Sequence, residues 1–125
     1  MIDHVSLRTS DTAKAKDFYS KALAPLGYSV MMEFPEYGVF GMGADGKADL
    51  WINGKGVEDE THLALVAKDK TAVDGFYKAA MAAGGSDNGK PGYRKEYTPG
   101  YYAAFVKDMD GHNIEVVFHD PNPSE

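Results

Sequence analysis

His4 to Arg8 alternates polar and apolar positions with the period of a strand, and His62 to Val66 follows the same period, with Leu63 and Leu65 separated from His62, Ala64 and Val66. Each is followed by an acidic residue, Asp11 or Asp69, placed to accept the free N–H groups that open a helix. Downstream of Asp11, residues Ala15, Phe18, Ala22 and Leu26 recur at helical spacing, and downstream of Asp69 so do Val73, Phe76, Ala80 and Met81. One apolar stripe per helix predicts packing against a sheet, a core role and not a cofactor box. Gly27 and Gly84-Gly85 are expected to stop the two helices. Shorter segments punctuated by Gly, Pro and Asp follow. They predict strands over Tyr28–Glu33, Tyr37–Met42 and Ala48–Asn53, then over Tyr93–Tyr97, Tyr101–Lys107 and Asn113–His119.

The two halves are copies of one pattern. A shift of 58 residues superposes the 25 positions from His4 to Tyr28 on the second half with eight identities, where roughly one or two would arise by chance. The fold class is therefore α+β, with two tandem βαβββ modules. Module 1 covers about residues 1–54, the acidic linker 55–60 and module 2 about 61–119, within a single domain. A four-stranded sheet covered by one helix leaves its other face free to form a curled cup with its twin, helices on the outside. Asp120-Pro-Asn-Pro-Ser-Glu125 has the composition of a frayed tail.

Charge and composition then narrow the chemistry. Thirteen basic against nineteen acidic residues give a net charge of −6, the wrong sign for neutralising phosphates, so no nucleic-acid partner is expected. No apolar run approaches the roughly 20 residues of a membrane span, and the N-terminus lacks the pattern of a secretory signal. The expectation is a cytoplasmic protein without a membrane partner. With no cysteine in the chain, any chemistry falls to His, carboxylates, hydroxyls or Tyr.

The duplicated unit, with His4 and His62 in the first strand of each half and Asp108-Met-Asp-Gly-His-Asn-Ile-Glu115 leading the last, resembles the vicinal oxygen chelate superfamily. That superfamily includes glyoxalase I, extradiol dioxygenases, fosfomycin-resistance enzymes and bleomycin-resistance proteins. The resemblance runs from Ile2 to about His119. It implies a divalent metal ion (Fe, Mn, Zn, Ni or Co) held by His4, His62 and Glu115. It also implies a homodimer and a small oxygenated ligand bound by chelation, through lyase or dioxygenase chemistry. The alternative it carries is a non-catalytic protein that sequesters a drug or other small molecule. Met109 departs from the family's usual Asp-Pro-Asp-Gly, where proline presets the turn.

Strand alternation agrees with the implied ligands. His4, Ser6 and Arg8 share a face opposite Val5 and Leu7, and Glu115, Val117 and His119 share one opposite Ile114, Val116 and Phe118. Two imidazoles and a carboxylate form a donor set that these metals accept, although a metal-free cup can retain the same residues. A type I turn closed by Gly111 would pair Asp108 with His112, set Phe105 opposite Glu115 and Tyr101 opposite His119, and put Tyr101 on the cup side. Trp51 shares a face with Asp49 on a strand that in glyoxalase I supplies a glutamate ligand. It suits stacking on a substrate, or else partial burial in the core. Arg94 is a candidate clamp for a carboxylate or phosphonate, and Tyr97 or Tyr101 a candidate donor to an oxyanion, beside packing roles for each. Glu115, Tyr101 and His119 are the candidate catalytic groups, with His119 or His112 able to shuttle protons. Beside its turn glycine, His112 is expected to be exposed.

Overall fold

A computed structural model describes residues 1–123, so the last two residues of the expected tail lie outside the described residues. Module 1 runs β1 (Val5–Arg8), α1 (Thr12–Ala22), β2 (Ser29–Phe34), β3 (Val39–Ala44) and β4 (Lys47–Asn53). Module 2 repeats the order as β5 (His62–Val66), α2 (Lys70–Ala82), β6 (Ser86–Tyr93), β7 (Tyr101–Lys107) and β8 (Asn113–His119). Each module forms a four-stranded mixed sheet, ordered β1-β4-β3-β2 and β5-β8-β7-β6, in which the first and last strands pair in parallel. These are the two expected βαβββ units, and among the described residues the sheets do not close into a barrel.

Local chemistry accounts for most boundaries. The Asp11 carboxylate accepts the Lys14 N–H and that of Asp69 the Ala72 N–H, so both expected caps are present. The first helix ends at Ala22, before Pro25 and Gly27, and Leu26 falls in a separate 3-10 turn. The second strand of module 2 differs more. The expected strand Tyr93–Tyr97 is instead β6 over Ser86–Tyr93, and Lys95 to Tyr97 form a turn. Three glycines or prolines in that stretch read as a loop, yet β6 is an edge strand bonded only to β7. An edge tolerates Pro91 and the register shifts around Gly89 because just one side needs pairing.

One hydrophobic core serves both modules. It joins Leu7, Phe40, Leu50 and Ile52 of the first sheet to Val106, Ile114 and Val116 of the second, through Phe18 and Tyr19 of α1 and Val73 and Phe76 of α2. Polar ties between modules gather at the β7–β8 turn. Asp110 accepts the hydroxyls of Thr9 and Ser10 at 2.6 Å each, and Asp108 accepts the Tyr19 hydroxyl. His112, expected at the surface, is buried there instead. Its Nδ1 accepts the Thr61 N–H at 2.9 Å, so Nε2 carries the proton and donates to the Arg8 carbonyl at 2.7 Å. Packing of the two modules over the turn, which no local pattern reports, is what closes it off from water.

The expected tail also starts later than its composition implied. The Asp120 N–H donates to the Gly100 carbonyl at 2.8 Å, and the Asp120 carboxylate accepts the Tyr93 hydroxyl at 2.7 Å. Among the described residues no helix is long and apolar enough to cross a membrane.

Candidate functional site

The face of the second sheet that points away from the core carries the densest chemistry. The β7–β8 register sets Phe105 opposite Glu115 and Tyr101 opposite His119, as the turn geometry predicts. Asp108 N–H bonds the His112 carbonyl, and Gly111 sits in the left-handed region at φ 86°. Residues directly opposite share a face, so Tyr101, Ala103 and Phe105 of β7 lie beside Glu115, Val117 and His119 of β8. The parallel β5–β8 pairing places Ala64 next to Glu115 and His62 one step along.

Three of the sequence candidates meet at one carboxylate. Glu115 is 2% exposed, and its Oε1 lies 2.9 Å from His62 Nε2 while its Oε2 accepts the Tyr101 hydroxyl. The His62 ring itself is about half exposed. Burial, followed by the hydrogen bond to Glu115 and its charge, pushes the Tyr101 phenol up to about 12, so it stays a proton donor at neutral pH. The Tyr97 and His119 rings stand edge-on to Tyr101, with centroids at 5.1 and 5.3 Å. The Arg94 guanidinium lies over the Phe105 ring at 5.3 Å. Ala103, Phe105 and Val117 form a small buried apolar cluster on this same face. None of these three stands out as a candidate in the sequence. For Ala103 and Phe105 the signal is that Ala103 to Val106 is apolar at every position, and for Val117 that Val116 to Phe118 is, the mark of strands covered on both faces.

The other candidates lie in module 1. His4 precedes β1, is exposed, and its Nδ1 lies 2.8 Å from Asp3 Oδ1. Among the described residues it makes no bond with His62 or Glu115. Trp51 pairs with Ser6 as Glu115 pairs with Ala64, so the tryptophan holds in module 1 the place the glutamate holds in module 2. It lies across Gly41, where a Cβ would come within 2.9 Å of the indole, and stacks on Phe34 at 6.4 Å. Asp49 accepts the Tyr28 hydroxyl at 2.8 Å. Met32 and Phe34 share the Trp51 face and are 47% and 38% exposed.

The donor atoms on the second sheet suit part of a metal site. Ligand atoms on adjacent corners of a coordination sphere with bonds of about 2.1 Å stand about 3 Å apart, and the His62–Glu115 spacing of 2.9 Å matches. Among the described residues no three His, Asp or Glu side chains gather at one point, so His62 and Glu115 fit two positions of such a site.

Duplicated βαβββ modules, each with its first and last strands paired in parallel, define a chain of the glyoxalase type. It belongs to the Glyoxalase/Bleomycin resistance protein/Dioxygenase superfamily, whose pattern matches residues 1–116. Among solved structures it is similar to a glyoxalase/bleomycin resistance protein from Albidiferax ferrireducens T118. The two share 22% identity over 93% of this chain and 97% of that one, with a TM-score of 0.79. A lactoylglutathione lyase from Agrobacterium tumefaciens shares 17% identity over 94% and 92% of the two chains, at a TM-score of 0.72. TioX from Micromonospora sp. ML1 shares 18% over 95% and 98%, also at 0.72. At these identities the likeness is one of fold. No curated protein sequence matches the chain.

Proposed function

We propose that this protein is a metal-dependent enzyme acting on a small oxygenated molecule, with His62 and Glu115 holding the metal and His4 of a second copy supplying a further ligand. The carrying observation is the buried Glu115 carboxylate, which faces an imidazole nitrogen at coordination spacing and a phenol beside the apolar cluster of Ala103, Phe105 and Val117. A divalent cation bound there supplies Lewis-acid polarisation of substrate oxygens.

This chain's own groups do the rest. Tyr101, protonated at neutral pH, donates to an oxygen that gains negative charge. His119, exposed and edge-on to Tyr101, exchanges protons with solvent. Phe105, Ala103 and Val117 form an apolar floor that keeps water from the reacting face. In module 1, Trp51 stands where module 2 has its glutamate, so at that position the face offers stacking. Its exposed Met32 and Phe34 support a homodimer in which the first sheet of one copy faces the second sheet of the other.

The second reading, a protein that sequesters its ligand, is favoured by that same apolar Trp51–Phe34 wall. Metal analysis of untagged protein purified without chelators separates the parts. Stoichiometric metal that is lost in His62→Ala and in Glu115→Ala supports the site. Native protein that holds no metal and also refuses Fe(II), Mn(II), Zn(II) and Ni(II) overturns it. Given bound metal, turnover within a substrate panel distinguishes an enzyme from a protein that saturates with ligand and forms no product.

A further inference from the structure

Of the two arginines in the chain, Arg8 pairs with Glu58 at 2.9 Å, and Arg94 pairs with no carboxylate among the described residues. In a chain with nineteen acidic residues and a net charge of −6, a half-buried guanidinium without a counter-charge calls for a physical account. Arg94 is held in three ways. Its backbone N–H donates to the Tyr101 carbonyl at 2.7 Å, which ties it to the catalytic strand. Its Nη1 donates to the Gly92 carbonyl at 2.8 Å and its Nη2 to the Lys90 carbonyl at 2.7 Å. Its Cζ lies over the Phe105 ring at 5.3 Å, and the His62 ring is tilted against the same ring at a centroid distance of 6.4 Å.

Glycine makes that position available. A Cβ at Gly89 would come within 2.9 Å of the Phe105 ring and 3.1 Å of Arg94 Nη2, so a side chain there would lift the guanidinium from its ring. The two carbonyl acceptors orient the group without neutralising it, and they engage two of the five N–H donors of a guanidinium. The rest is a fixed, positively charged fork. Its charge is close enough to Tyr101 to oppose the rise in that phenol's pKa. A cation pinned this way has already lost the side-chain freedom that binding would otherwise cost, which favours a planar anion bound in bidentate fashion.

We propose that Arg94 is the specificity residue of this site and that its substrates are small carboxylic acids. The carboxylate lies on the guanidinium while neighbouring oxygens of the same molecule face the His62–Glu115–Tyr101 cluster. This rests on the metal-site reading above, and the test separates the two.

Protein loaded with Mn(II) is titrated calorimetrically, under anaerobic conditions, with catechol, 3,4-dihydroxybenzoate and 3,4-dihydroxybenzamide. The three share the same vicinal oxygens and differ in the group offered to Arg94. The acid is expected to bind about tenfold or more tightly than the amide. Arg94→Met should erase that preference, so that acid and amide bind alike, and Arg94→Lys should retain part of it. Equal affinity for acid and amide in the native protein, or a preference that survives Arg94→Met, overturns the proposal, and continued catechol binding then leaves the metal-site reading standing. Failure of all three compounds to bind protein that holds Mn(II) overturns the proposal alone, and protein that takes up no Mn(II) overturns both. The native comparison needs no variant, and Arg94→Gln gives the same discrimination if Arg94→Met does not fold.

Discussion

At Glu115 a buried carboxylate faces a phenol donor and an imidazole nitrogen, and each of its oxygens has a partner. Glu115→Gln replaces one acceptor oxygen with an NH2 group, which then confronts a neighbouring donor inside the sheet face. The expected loss is about 1–3 kcal/mol of stability, read as a lowered denaturant midpoint with an unchanged slope. A midpoint equal to that of the native protein would show that the carboxylate is not held as described. Much of this residue-scale arrangement was legible in advance. The turn at Asp108 to Gly111 sets a register, and a register puts Tyr101 and Glu115 on one face. The burial of His112 is not legible locally because its surroundings come from Arg8 and Thr61, distant in sequence and brought together by packing.

Elements carry the next set of constraints. Helix caps and the β7–β8 hairpin follow local rules, and both match expectation. Edge strand β6 does not, since glycine and proline permit a strand only where a neighbour is present on one side to pair with it. Gly100, which leads into β7, illustrates how tightly that neighbourhood is packed. It has φ 83°, and a Cβ there would lie 2.2 Å from the Asp120 carbonyl oxygen. Gly100→Ala is expected to cost about 2 kcal/mol or more, because strain in the left-handed region adds to a clash with backbone. Amide exchange should show the loss concentrated where Asp120 and Tyr93 meet. Uniform protection across β7 and β8 in that variant would contradict this account.

For the whole molecule, tyrosines set an alkaline limit. Tyr28, Tyr101 and Tyr102 are each raised to about 12, first by burial and then by a carboxylate that accepts the hydroxyl, while buried Tyr19 is raised further by burial and Asp108. The folded state holds these protons more tightly than the unfolded chain, whose tyrosines titrate near 10. Stability is therefore expected to be complete below about pH 10 and to fall as pH rises from about 10 to about 12. Unfolding free energy measured across that interval checks the sign, and a stability that stays flat there would refute it. At this same scale lies the division between what is local and what is not. By itself the sequence determined the duplication, the βαβββ order, the caps and the hairpin register, because each depends on residues two, three or four apart or on a repeat within the chain. Tertiary structure alone decided which candidates meet. His62, Glu115 and Tyr101 converge from three strands while His4 does not join them, Arg94 comes to lie on Phe105, and His112 is enclosed between modules. The physical reason is that convergence of side chains depends on how two sheets and two helices share one core, and no alternation along a strand records that.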